Sequence, residues 1–333
     1  MFGLGKPDEG KIRAVLGDLP VQSVLIDGRD VSVVLLAEDG AAHEIMRLDA
    51  EKRIMTVKGV GRAHVILTAE KPKSEKKKPS GGIDVPVRTI IAVASGKGGV
   101  GKSTVAINLA CALSQTGLTV GLLDADIYGP SQPRMAGVRG EKPARENEKI
   151  IPIDAHGLKV MSMGFLVDEA APMIWRGPMI QSALKQLLRD VAWEGCDVLV
   201  IDMPPGTGDA QLTLAQQVDV SGAVIVSTPQ DIALIDAKKG LEMFRKVDVP
   251  ILGIVENMSF FCCPSCGHRA EIFGHGGARE EAAAADVPFL GEIPLDSDIR
   301  RFSDAGTPIV MDRPDSDQAR AFIAIAQQIR ANF

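Results

Sequence analysis

Six stretches of the chain, 90–95, 120–124, 198–203, 223–228, 251–256 and 289–294, carry apolar and largely β-branched residues at successive positions rather than at every second one. That pattern predicts strands buried on both faces, as in a parallel sheet covered by helices on each side. Segments of helical length separate them, at 103–115, 180–191, 212–217, 234–246, 278–285 and 316–331. Strand and helix alternating in this way give an α/β fold, doubly wound, with a mostly parallel sheet reached by right-handed crossovers. Ligands of such sheets bind outside the carboxyl ends of the strands.

The first 69 residues pattern differently. A helical stretch at 11–16 precedes two alternating runs, 21–26 and 31–37, then a helix-like segment at 49–56 and a strand at 63–68. A small α+β domain is expected over 1–69. The run from Glu70 to Gly82 holds no large apolar residue and ends in Gly81-Gly82, so 70–86 reads as a flexible charged linker and 87–333 as the second domain.

Composition narrows the function classes. Hydrophobic residues make up 45% of the 333, enough for a sizeable core. The net charge of −6 speaks against a general nucleic-acid binder, and the lysines of the linker, with no aromatics among them, read as solvation. No apolar run approaches the roughly 20 residues that span a bilayer, and residues 1–6 lack a basic region leading into an apolar core. A cytoplasmic protein without a membrane partner is expected. Five cysteines, an odd number, suit a reducing compartment in which thiols serve as ligands or nucleophiles.

The first long apolar run leads into Ser95-Gly96-Lys97-Gly98-Gly99-Val100-Gly101-Lys102-Ser103-Thr104, and a helix starts near Ser103. Strand, glycine loop and helix form a phosphate cradle: backbone N–H groups and the helix N-terminus face phosphate oxygens. Lys102 would reach the β- and γ-phosphates and Ser103 would ligate Mg²⁺. The run 198–202 ends in Asp202, a carboxylate placed to help hold Mg²⁺. It continues into Met203-Pro204-Pro205-Gly206-Thr207-Gly208-Asp209, a backbone suited to rearrange with the γ-phosphate. The run 120–124 ends Asp124-Ala125-Asp126, placing both aspartates near an attacking water; Asp124 reads equally well as a cap of the following turn. The stretch Glu256-Asn257-Met258-Ser259 lacks the Lys and Asp of a guanine-binding Asn-Lys-x-Asp loop, which favours ATP. Lys97, early in the loop, would crowd Lys102 at the same phosphates; a partner subunit's nucleotide is its alternative destination, which implies a homodimer.

Taken together, Gly96 to Thr104, Asp124-Ala-Asp-Ile-Tyr-Gly-Pro-Ser131, Trp175-Arg-Gly-Pro-Met179, Asp202 to Asp209 and Glu256-Asn-Met-Ser259 with the cysteine turn that follows resemble the Mrp/ApbC family. That family lies within the ParA/MinD class of P-loop ATPases of the SIMIBI kind. The resemblance spans about 89–310 and implies an iron–sulfur cluster carrier. It further implies that Lys97 faces the partner, that Asp126 lies nearest the attacking water and that Asn257 contacts adenine. Catalysis would then rest on Lys97, Lys102, Asp126 and Asp202, with apo iron–sulfur proteins as clients and cluster scaffold proteins as donors.

Cys263-Pro264-Ser265-Cys266-Gly267 has the spacing of a metal knuckle. Two thiolates are too few for zinc or a [4Fe–4S] cluster, and no second Cys-x-x-Cys exists in the chain. Two chains about a two-fold axis would complete the set, and the resemblance points to the same two cysteines. A zinc knuckle closed by His268 or His275, and a thioredoxin-like dithiol, are the rival readings. Cys262 reads as a spare thiol, Cys111 and Cys196 as core residues. The segment 1–69 resembles the latter part of an iron–sulfur assembly module in outline, but it contains no cysteine. A positioning ATPase of the MinD/ParA kind would need a basic amphipathic C-terminal helix; 316–333 has an apolar stripe (Ala319, Phe322, Ile323, Ala326, Ile329) but only Arg320 and Arg330 as cations.

Overall fold

The computed structural model describes residues 7–36, 43–68, 82–166 and 177–333. The chain forms two compact units, 1–77 and 78–333. In the first, α1 (Glu9–Leu16) precedes the hairpin β1 (Val21–Asp27) and β2 (Asp30–Leu36), then α2 (His43–Met55) and β3 (Arg62–Thr68). Strands β1 and β2 pair antiparallel around Gly28, whose φ of 63° suits the tight turn, and β2 pairs with β3 in parallel. Alternation in β2 buries Val31, Val33 and Leu35 against Ile12, Leu16, Ala50 and Ile54. Asp8 caps α1 by accepting from Lys11 N at 3.0 Å.

The second unit begins before β4. Ile83, expected within the linker, donates its N–H to Gln217 O at 2.7 Å, and Val85 is buried. Their apolar side chains pack on this unit's core; residues 69–81 lie outside the described ones.

The elements that follow are β4 (Thr89–Ala94), α3 (Lys102–Ser114), β5 (Val120–Asp124), α4 (Gln132–Met135), the hairpin β6 (Arg145–Glu146) and β7 (Lys149–Ile150), β8 (Ile153–Ala155), β9 (Leu158–Ser162) and α5 (Gly177–Arg189). Next come β10 (Val198–Asp202), α6 (Asp209–Gln217), β11 (Gly222–Ser227), α7 (Asp231–Lys246), β12 (Ile251–Glu256), the hairpin β13 (Phe261–Cys262) and β14 (Arg269–Ala270), α8 (Gly277–Ala284) and β15 (Phe289–Glu292). Helices α9 (Ser297–Ala305), α10 (Ile309–Asp312) and α11 (Asp317–Arg330) close the chain.

Eight strands make one sheet in the order β15-β12-β11-β4-β10-β5-β9-β8, parallel except at the β8–β9 edge. Every residue of β4, β5, β10 and β11 is buried, which is why these strands read as unbroken apolar runs. Strand β10 sits between β4 and β5 although it follows both, so the carboxyl ends of β4, β5 and β10 converge. Helix α11 buries Ala319, Phe322, Ala326 and Ile329 against the core, so its apolar stripe is spent on packing rather than offered to a membrane. Among the described residues no helix is long and apolar enough to cross a membrane.

Candidate functional site

The loop after β4 is shaped by glycines at two close approaches. A Cβ on Gly96 would lie 2.0 Å from Asp236 O, so the first turns of α7 press on the loop. Gly101, the N-cap of α3, has φ 81°, and a Cβ there would lie 2.2 Å from Asn257 Nδ2. The Asn257 amide donates to Val100 O at 2.8 Å, tying the end of β12 to the loop. Beside this contact opens a cavity of about 560 Å³ bordered by Gly101, Thr104, Asn257, Pro294 and Asp296, a volume in the range of small-molecule sites.

Sheet order brings Lys102 and Asp202 together across 100 residues of chain. They form an ion pair, with Lys102 6% and Asp202 0% exposed, and Lys102 Nζ also lies 3.2 Å from Ser103 Oγ. Asp124 stands beside Asp202 in parallel register. It accepts from Asp126 N, Gln132 N and Ser162 Oγ, each at 3.1 Å. Burial first, and the Asp202 charge second, push the Asp124 carboxyl up to about 7. Asp124 is therefore the cap of the turn that follows it. Asp126 is less buried, and among the described residues its carboxylate accepts from Gly129 N alone, at 3.3 Å. Lys97 is half-buried and makes no ion pair among the described residues.

Ser103 Oγ and the Asp202 carboxylate are oxygen donors suited to a hard divalent cation. Close by, Ser131 Oγ and Gln132 Oε1 are buried without a hydrogen-bond partner. The residues present fit Mg²⁺.

The cysteines lie on the β13–β14 hairpin. Cys263 N donates to His268 O at 2.9 Å and Gly267 N to Cys263 O at 2.8 Å, folding the turn over Gly267 at φ 71°. Cys262 and Cys266 are exposed and Cys263 half-buried. The backbone N–H groups of Ser265 and Cys266 hold the Cys263 thiol below its ordinary pKa, which favours thiolate and metal ligation. Among the described residues no His, Asp or Glu joins the two cysteines in a ligand group of three. Neither His268 nor His275 lies grouped with the two cysteines among the described residues. Cys111 and Cys196 are buried and free, with Cys111 pushed up to about 12 by burial. Trp175 and Arg176 lie outside the described residues.

A model of the NUBPL iron-transfer P-loop NTPase family, of the ParA class, matches residues 86–330. The chain belongs to that family. The iron–sulfur cluster transfer protein NUBPL of Mus musculus is 55% identical over 256 residues, covering 76% of this chain and 79% of that one. The iron–sulfur cluster carrier protein of Synechocystis is 48% identical over 316 residues, 93% of this chain and 89% of the relative, and so reaches into the first unit. Among solved structures, the nucleotide-binding protein of Archaeoglobus fulgidus in complex with ADP and with cobalt is 42% identical, with a TM-score of 0.62 over 70% of this chain and 91% of that one. The resemblance read from the motifs is borne out at the level of family and fold.

The structural roles of two residues in this NUBPL-family chain, Gln132 and Glu256, are not read from its motifs. Gln132 donates from its side chain to Ser103 O and Asp202 Oδ2, joining α3, α4 and β10. Glu256, fully buried, accepts from Ser259 Oγ at 2.6 Å and Ala278 N at 2.8 Å, so one carboxylate pins both ends of the segment that carries the cysteines. With His275 and Glu292 it forms a group of metal-ligand type. Glu292 is already taken by Arg269 at 3.1 Å and Arg279 at 3.2 Å. Burial would raise its pKa, but the bonds and charges of Arg279 and Arg269 outweigh that and hold it low. The group serves as a truss for the hairpin. Its only advance signal is Glu256 itself, a charged residue closing an apolar strand.

Proposed function

We propose that this protein binds and hydrolyses ATP and carries a [4Fe–4S] cluster between two copies of itself, passing it to apoproteins. The observation that carries the reading is the incomplete ligand set: Cys263 and Cys266 at the tip of an exposed hairpin, which no third His, Cys, Asp or Glu joins in a ligand group among the described residues, in the unit that also holds the phosphate loop. A two-fold axis that brings the pairs of two chains together supplies the four thiolates such a cluster takes. The names of the mouse and Synechocystis relatives point to the same cargo. A cluster held between exposed turns is open to attack by a client's thiolates, which suits delivery.

The Lys102 ammonium neutralises Asp202. With ATP bound, the Lys102 ammonium would face the β- and γ-phosphate oxygens, and the Asp202 carboxylate and the Ser103 hydroxyl would hold Mg²⁺. The ion supplies charge neutralisation at those phosphates. Asn257 faces the adenine in the cavity beside it, Asp126 orients the attacking water, and Lys97 reaches the partner's nucleotide. Hydrolysis is slow and changes the dimer's geometry. Its partners are a second copy, client apoproteins and cluster scaffold proteins, in a reducing cytoplasmic compartment. The first unit serves as a docking or regulatory module of degenerate assembly type.

Anaerobic reconstitution with iron and sulfide tests the reading. About two irons per chain are expected in the wild type, falling to background in Cys263→Ala. A colourless wild type without bound iron overturns it.

A further inference from the structure

Gln132 opens α4 and is fully buried. Its main-chain N–H donates to Asp124 Oδ2 at 3.1 Å; its side-chain nitrogen donates to Ser103 O at 3.1 Å and to Asp202 Oδ2 at 2.9 Å. A main-chain carbonyl and a carboxylate paired with lysine have only lone pairs to offer, so the amide stands with its nitrogen toward both. Its oxygen is thereby turned to other neighbours and finds no donor among the described residues. The Ser131 hydroxyl, one residue earlier, is also buried without a partner and borders the cavity that touches Gly101 and Thr104.

Folded proteins leave few buried polar atoms unbonded, and an unmade bond forfeits the group's hydration with nothing in return. An apolar side chain of Gln132's volume would fill this position without that cost. The polar residue is therefore explained by what its two ends do. Mg²⁺ keeps several of its waters when a protein binds it, and those waters are hydrogen donors to acceptors around the ion.

We infer that Gln132 is a positioning residue of the Mg²⁺ site, its amide nitrogen fixing the Asp202 carboxylate and the Ser103 main chain while its amide oxygen accepts from a Mg²⁺-bound water. The inference rests on the reading of this pocket as a Mg·ATP site. Gln211 also leaves a buried amide oxygen unbonded while its nitrogen donates to Pro204 O; what separates Gln132 is that its nitrogen holds Asp202 and the Ser103 main chain, the residues that would take the ion.

Mn²⁺ serves as the probe. Its dissociation constant from the protein–ADP complex, read from the free-Mn²⁺ paramagnetic resonance signal, is compared between wild type and Gln132→Leu, with ADP affinity in EDTA measured alongside. Expected is a loss of about 10–100-fold in Mn²⁺ affinity, the usual effect of removing an outer-shell partner, with metal-free ADP affinity within about twofold. Gln132→Asn, which keeps the amide but withdraws it by one methylene, is expected to show the same split and stands in if the leucine variant fails to fold. Equal Mn²⁺ affinity in wild type and folded variants overturns the inference while leaving the nucleotide reading intact. Parallel loss of Mn²⁺ and metal-free ADP binding overturns it too, because Gln132 would then only support the fold. Wild type that binds no ADP removes the nucleotide reading and this inference with it.

Discussion

Around the phosphate loop, Lys102, Asp124, Gln132 and Asp202 are each at most 6% exposed, and their bonds draw together β5, β10, α3 and α4. A short way beyond Asn257, the cysteines ride a two-stranded hairpin with two paired residues on each side, and Cys262 and Cys266 face solvent. One region is buried and cross-bonded; the other presents its thiols on an exposed turn. The difference follows from the task. Phosphate chemistry needs donors and charges fixed in a dry place, where they act without reorganisation. Handing over a cluster needs thiolates that another protein's thiolates can reach. Glu256 links the two, because it closes the strand that positions Asn257 and pins both ends of the cysteine segment.

The sharpest way to break this division is Lys102→Ala. Hydrolysis is expected to fall on the order of 10²–10³-fold, as when one charge-stabilising donor is removed from a preorganised site. The same change strips the buried Asp202 of its cation and is expected to lower stability of the nucleotide-free protein by about 3–5 kcal/mol in denaturant titrations. Iron content after reconstitution should stay at the wild-type level. If iron fell in step with hydrolysis, the two regions would not be separable.

Much of this division could be read in the chain beforehand, and the reasons are local. Strands buried on both faces must be apolar at every position, so β4, β10 and β11 announce themselves. The phosphate loop carries its glycines because Gly96 and Gly101 meet Asp236 and Asn257 too closely for a side chain. What stayed hidden depends on neighbours distant in sequence. The antiparallel edge β8–β9 is short and interrupted by Asp154 and Lys159; it turns through His156 and Gly157, both at positive φ. Helix α9 is amphipathic but short, its inward face resting on Ile299, Phe302 and Ser303 among charged residues, so few apolar positions mark it in the sequence. Gln132 looks like any polar loop residue until sheet order brings Asp202 beside it.

Gly101→Ala probes the buried region more gently. Alanine at φ 81° is strained, and its Cβ would drive the Asn257 amide off Val100 O. A stability loss of about 1–3 kcal/mol is expected, together with weaker nucleotide binding in equilibrium titrations. Cluster loading should be unaffected. Unchanged nucleotide affinity would show that Asn257 is not part of that pocket's recognition.

The smallest effect on stability belongs to the exposed region, and it is the more informative for that. Arg269 lies on the hairpin, 43% exposed, paired with Glu292 at 3.1 Å and stacked 3.8 Å from the centroid of the Phe260 ring. Partly exposed pairs contribute at most about 1 kcal/mol, so Arg269→Ala should barely move the melting temperature. The segment's ends are fixed by Glu256 and by the Ser259 N–Ile293 O and Leu295 N–Phe260 O bonds, which leaves Arg269 as a side-chain tie of the hairpin itself. Amide exchange at 261–270 should quicken and a reconstituted cluster should be lost sooner, while ATP hydrolysis keeps its wild-type rate. Slower hydrolysis in this variant would mean that the cysteine turn acts back on the nucleotide pocket through Glu292 and Glu256, and the contrast between a fixed pole and a free one would have to give way to a single coupled device.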